Sequence, residues 1–142
     1  MASGLNLTTW LAWAQAAIVL DLESGGDTVK CAAFDGSPVP NLDTDTIYGA
    51  APWNAGELAG GGYSAGGATV AGIAYTIEST RLVLRHTAMS TANVTGDLRY
   101  LVFWDDTVGD RVVFVADLGQ EFPLLAEPLN VSSPDGLYRI RR

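Results

Sequence analysis

The sequence predicts a mainly β fold: an antiparallel β-sandwich or barrel-like domain with one short N-terminal helix and a long Gly/Pro-rich loop. Three observations carry this expectation. Apolar residues recur at helical spacing only before Leu20, period-two alternation takes over after Gly25-Gly26, and the alternating stretches are separated by Asp, Gly and Pro. The chain has 142 residues, 48% of them hydrophobic and 17% charged, so one domain with its own core is expected over 1–142.

The helix is predicted over residues 8–20, with Thr8 or Thr9 as its cap. Leu7, Leu11, Ala14 and Ile18 form one apolar stripe and Trp10, Trp13, Ala17 and Leu20 a second, so this helix is apolar nearly all round. Such a helix is either sandwiched inside the domain or used as a contact with another chain, which makes Trp10 and Trp13 candidate interface residues. The run from Trp10 to Leu20 is interrupted by Gln15 and falls far short of the ~20 residues a membrane span needs, so no membrane role is expected. No basic residue precedes Lys30, and a secretory leader is not expected.

Residues 28–34 read as the first strand, with Val29, Cys31 and Ala33 on one face and Thr28, Lys30 and Ala32 on the other. Residues 36–67 read as a long ordered loop, because they hold Pro38, Pro40, Pro52, the run Asp43-Thr44-Asp45-Thr46 and the triplet Gly60-Gly61-Gly62. The β core resumes with strands over 68–77, 81–86, 98–104 and 111–118 and a short terminal strand over 137–141. In the second of these, Arg81 and Arg85 share a face with Val83 between them, the pattern of a half-buried strand whose other face meets water or a partner. The Asp and Gly residues between Trp104 and Arg111 fit a hairpin turn.

Candidate chemistry is sparse. Cys31 is the only cysteine and His86 the only histidine, so neither an internal disulfide nor a thiolate zinc site can form. Gly60-Gly61-Gly62-Tyr63-Ser64-Ala65 matches a relaxed dinucleotide fingerprint, but it lacks the preceding apolar strand and the following helix that the chemistry needs. Asp43 with Asp45, or Asp105 with Asp106 and Asp110, could gather oxygens around calcium, yet neither run follows an EF-hand spacing and both suit turns. No nucleophile elbow accompanies His86, which reads as a hydrogen-bonded structural histidine. No catalytic residue, cofactor or metal is expected.

Charge is distributed unevenly. Residues 1–80 carry eight carboxylates against Lys30 alone, and residues 81–142 carry eight against seven arginines, within a net charge of -8. This balance argues against a chain that tracks phosphates and allows docking between an acidic half and an arginine-bearing half.

Five segments carry a resemblance. Residues 27–32 (Asp-Thr-Val-Lys-Cys-Ala), 41–46 (Asn-Leu-Asp-Thr-Asp-Thr), 57–68 (with Gly-Tyr-Ser-Ala-Gly-Gly), 99–107 and 113–119 together look like a family of small structural proteins of tailed bacteriophages. The abbreviated loop around Pro52-Trp53-Asn54 and the segment 122–130, with Pro123 and Pro128, depart from the family pattern. The resemblance implies a non-enzymatic virion component of the head-decoration, head-fibre or minor tail type. Among these types the net charge of -8 favours a decoration protein on the capsid exterior, away from packed phosphates, with the major capsid protein as partner, a homo-oligomer with a trimer favoured, and no direct contact with nucleic acid. The candidate interface residues are Trp10, Trp13, Trp53, Tyr63, Arg81 and Arg85. Trp53, Tyr63 and Trp104 would serve a different reading, a host-glycan-binding module, if their rings were exposed.

Overall fold

The computed structural model describes residues 4–23, 25–78, 81–87, 89–133 and 138–141. Its elements in chain order are β1 (Gly4–Leu5), α1 (Leu7–Ala14), β2 (Val29–Phe34), β3 (Ala68–Thr69), β4 (Ala74–Glu78), β5 (Arg81–Arg85), β6 (Met89–Asp105), β7 (Arg111–Val131) and β8 (Tyr138–Arg141). A five-stranded sheet runs β1-β7-β6-β2-β3 and a three-stranded sheet runs β4-β5-β8, with every pairing antiparallel. The mainly β expectation holds. The barrel alternative does not, because neither sheet closes on itself.

The large sheet is covered on both faces. Cys31, Ala33, Leu101, Phe103 and Phe114 pack on one side with Leu84 of the small sheet and with Leu22, Val70 and Ile73. Ala32, Phe34, Val102, Trp104, Val112 and Val115 pack on the other against Trp53, which comes from the long loop. On the second face of residues 28–34 Lys30 is half-buried and Ala32 fully buried, because the loop lies over it.

β6 and β7 are longer than the period-two stretches suggest, at 17 and 21 residues, and they form one hairpin. Segment 122–130 continues β7 despite Pro123 and Pro128, whose missing N–H groups are tolerated at a sheet edge. β1 meets β7 only at Val115 and Phe114, so beyond Asp117 the outer side of β7 is an edge among the described residues. Register shifts near Asn93 and a left-handed φ of 57° at Ala126 bend this arm, as bulges do. A further bulge sets Phe103 and Trp104 opposite Phe114 and Val112, leaving Val113 as the extra residue. The Val113 carbonyl accepts from the Asn6 main-chain N–H at 3.1 Å and from Trp10 Nε1 at 3.2 Å, which docks the N-terminal segment.

The helix is shorter than predicted. Asn6, not Thr8 or Thr9, is its cap: the Asn6 side chain accepts from the Thr9 N–H at 3.0 Å. It ends at Ala14 because Ala16 takes a left-handed φ of 56°, with its N–H turned back onto the Trp13 carbonyl.

The stretch read as one strand over 68–77 is two. Ala68–Thr69 pairs with β2, residues 70–73 change sheets, and Ala74–Glu78 pairs with β5. In β5 both Val83 and Leu84 are buried, so the strand is covered on both sides and the half-exposed reading of 81–86 is corrected. Residue 137 of the terminal strand lies outside the described residues; Tyr138–Arg141 is a strand as expected, and it pairs with β5.

Candidate functional site

The long loop is tied to the sheet through one carboxylate. Phe34 and Glu57 form an isolated antiparallel bridge where the loop returns to β2. Glu57 Oε2 accepts from the Tyr48 hydroxyl at 2.7 Å, and Oε1 accepts from the Tyr63 hydroxyl at 2.8 Å and from the Gly66 N–H at 2.7 Å. The Tyr63 oxygen in turn accepts from the Ala33 N–H at 2.9 Å, and the Gly66 carbonyl accepts from Trp104 Nε1 at 3.0 Å. Tyr48 stacks on Trp104 with ring centroids 4.2 Å apart, and Lys30 Nζ lies 5.2 Å from a Trp104 ring and 2.9 Å from Asp106 Oδ2. Burial first, then the Glu57 charge, pushes the Tyr48 phenol well above its ordinary range, and burial does the same to Tyr63. Two glycines are needed here for close approach: a Cβ on Gly67 would sit 1.8 Å from the Cys31 carbonyl oxygen, and one on Gly60 would sit 1.7 Å from that of Asn93.

The N-terminal helix leaves large apolar side chains exposed. Trp10 packs inward on the first core cluster, edge-on to Trp13 at 5.5 Å. Leu7, Leu11 and Trp13 remain 59%, 55% and 46% exposed, so each apolar stripe of the helix leaves side chains uncovered, and Thr9 is its one buried residue. The neighbouring Val19 is also exposed.

The other sequence candidates fall in different places. Trp53 is 2% exposed and Trp104 4%, inside the second core cluster, because the loop folds its own aromatics against the sheet. Neither ring is available to a glycan or to another chain, and Trp53 is removed from the candidate interface. Tyr63 is half-buried and held by Glu57 and Ala33, so it anchors the loop. Arg85 is half-buried beside His86, whereas Arg81 is placed only by backbone register, opposite Glu78 and Arg141. The candidates therefore do not form one surface.

His86 corrects a second expectation. It is 3% exposed, and its main-chain N–H donates to Ser133 Oγ at 3.1 Å, but neither ring nitrogen makes a hydrogen bond. The ring is tilted against Phe103 at 5.7 Å, and burial lowers its pKa below the ordinary histidine value.

The aspartate runs are structural. Asp43 and Asp45 close a turn with Asn41, and their carbonyls accept from Thr8 Oγ1 and Asn6 Nδ2 respectively, which joins the loop to the start of α1. Asp105 is fully buried; its Oδ1 accepts from the N–H groups of Thr107 and Val108 at 2.8 and 3.0 Å. Burial outweighs those bonds and pushes its carboxyl up to about 6, with Asp27 adding to the rise. Asp117 holds Arg99 through two contacts of 2.8 and 3.3 Å. No group of three or more His, Cys, Asp or Glu able to hold a metal ion occurs among the described residues.

Sequence reasoning missed Tyr48 and Glu57 as partners, because they are nine residues apart in a stretch without periodicity. It also recognised the Leu7 and Leu11 stripe without being able to say which side of the helix faces out. No family model, no curated protein and no solved structure matches this chain.

Proposed function

We propose that this chain is a non-enzymatic structural protein of a tailed-bacteriophage virion, a decoration protein that binds the outer capsid surface as a homo-oligomer. The resemblance of residues 27–119 supplies the class. The single structural observation that supports it most is the exposure of the large apolar side chains Leu7, Leu11 and Trp13 on a helix pinned to the sheet through Asn6 and Trp10. A rigidly mounted apolar patch of this kind is a contact surface awaiting another chain. Three of the sixteen carboxylates serve the fold: Glu57 holds the loop, Asp105 closes the hairpin turn and Asp117 holds Arg99. A net charge of -8 suits the outside of a shell whose contents are packed phosphates. Modest contacts repeated over many lattice positions would then reinforce the shell through avidity.

A density map of the intact particle tests this reading. Density for this fold on the outer capsid surface, with α1 at a contact, supports it; density confined to the tail or a fibre would replace it with the minor tail or head-fibre role.

A further inference from the structure

The start of β2 lies against the turn that joins β6 to β7. The Thr28 N–H donates to Thr107 Oγ1 at 2.9 Å, the Thr28 carbonyl accepts from the Asp106 N–H at 2.8 Å, and Val29 is the register partner of Asp105. Asp105 is fully buried at this junction, and its two oxygens differ. Oδ1 accepts from the Thr107 and Val108 N–H groups, whereas Oδ2 has no hydrogen-bond partner. A bare buried carboxylate oxygen costs stability and calls for a proton or a cation. The Asp27 carboxyl lies within hydrogen-bonding reach of Asp105, and its own Oδ2 is fixed by the Asp21 N–H at 2.7 Å. The other charged groups on the surrounding elements are Lys30, held by Asp106 at 2.9 Å, Asp110 of the turn, Arg111 opposite Asp105 in register, and Asp21 and Glu23 ahead of β2. None of them bonds Asp105 Oδ2, and no third His, Cys, Asp or Glu turns the pair into a metal-holding group among the described residues.

We propose that Asp105 and Asp27 form an acid-operated latch: protonated Asp105 Oδ2 donates to the Asp27 carboxylate and fastens the β6–β7 turn to the start of β2, and loss of that proton loosens the turn. The atoms are matched for this. A carboxylic acid accepts through one oxygen and donates through the other, and the two N–H bonds to Oδ1 leave Oδ2 as the donor. An O–H donated to a carboxylate is a strong hydrogen bond, whereas two carboxylates in contact repel. Burial first, then Asp27, raises the Asp105 carboxyl to about 6, so the latched state binds the proton more tightly than the open one. The latch is therefore fully closed below about pH 4, and the proton's contribution is gone once pH has risen through about 6. The device stands on this junction and is independent of the virion reading.

Native-state hydrogen exchange followed by NMR tests it at the Thr28 and Asp106 amides, which bridge the two parts. Their protection factors should fall at least about tenfold between about pH 4 and pH 7, a factor of ten for each unit by which the Asp105 carboxyl is raised. The fall should be insensitive to urea below the unfolding transition, because a local opening exposes little surface. Asp105→Asn keeps the acceptor and gives Asp27 a permanent N–H, so it should hold the acid-state protection at pH 7. Asp27→Asn removes the facing charge and should lose most of the fall; a cooperative urea transition shows that each variant is folded. Protection that is flat with pH in the parent, a fall that steepens with urea as global unfolding does, or a fall retained in both variants would overturn the proposal. So would calcium chloride restoring the acid-state protection at pH 7, since the pair would then hold a cation in place of a proton.

Discussion

The Tyr63 hydroxyl sits between two partners on different parts of the fold, donating to Glu57 Oε1 at 2.8 Å and accepting from the Ala33 N–H of β2 at 2.9 Å. One phenol thereby joins the returning loop to the central sheet. Glu57 gathers a second phenol from Tyr48, and the loop becomes the cover of the Ala32, Phe34 and Val102 face.

Removing either end of this link should loosen the loop without unfolding the sheet. Tyr63→Phe loses one donated and one accepted bond and should cost roughly 1–3 kcal/mol, and Glu57→Gln, which cannot accept equally from both phenols, a similar amount. Denaturant unfolding measures the loss, and hydrogen exchange should localise it to residues 47–67 and the Ala33 amide. A Tyr63→Phe protein as stable as the parent would show that the link is incidental.

The same burial governs alkaline behaviour. Tyr48, Tyr63 and Tyr75 all have phenols raised above the ordinary value, burial being the largest cause in each. A phenol whose folded pKa is raised keeps its proton longer than in the unfolded chain. Its contribution to stability is therefore complete below about pH 10 and is lost as pH climbs above it. Spectrophotometric titration should find three of the five tyrosines ionising only as the protein unfolds.

Asp105 and His86 should pull stability in opposite directions with pH. Asp105 is raised to about 6, so the folded state binds the proton more tightly than the unfolded chain does. Stability then falls as pH rises from about 4 to 6 and stays lower above that. Asp105→Asn keeps an oxygen for the Thr107 and Val108 N–H groups and adds no charge. It should be roughly 1–3 kcal/mol more stable than the parent at pH 8 and gain nothing at pH 3.5. Urea midpoints at the two pH values decide the matter.

His86 has a lowered pKa, so the folded state binds its proton less tightly than the unfolded chain. Its neutral form is stable above about pH 6.5, and stability is lost as pH falls below that value. His86→Gln should flatten the acid side of the stability profile below about pH 6.5. An unchanged slope there would place the acid sensitivity elsewhere.

Much of the fold was legible in the sequence, and the misses have physical causes. Alternation in 28–34 and 98–104 located the central strands, because their side chains face two layers in turn. Alternation could not reveal that the loop would cover Ala32, since a small apolar residue reads the same on a wet or a dry face. Nor could it carry β7 through Pro123 and Pro128, because an edge position, which makes proline tolerable, is a property of the sheet. The helix was overextended because Ile18 and Leu20 continue the apolar spacing, while the left-handed turn at Ala16 has no glycine to announce it. For the candidate surface, the spacing picked out Trp10 and Trp13 alike, but Trp10 packs inward and only Trp13 is exposed, and Trp53 was taken as exposed although its ring is core.

Self-association should depend on α1. Leu11→Glu and Trp13→Glu change side chains that are 55% and 46% exposed, so each variant should still fold, as a cooperative urea transition shows. Sedimentation velocity should find the parent as an oligomer and both variants shifted toward monomer. A parent that remains monomeric at all concentrations would contradict a homo-oligomer assembled through this face.

The most direct test of the virion reading is the number of copies of this chain in purified tailed-phage particles, measured by quantitative mass spectrometry against the major capsid protein. A decoration protein on a closed lattice predicts on the order of tens to hundreds of copies in fixed ratio to the capsid subunit. A handful of copies, or none, would contradict it.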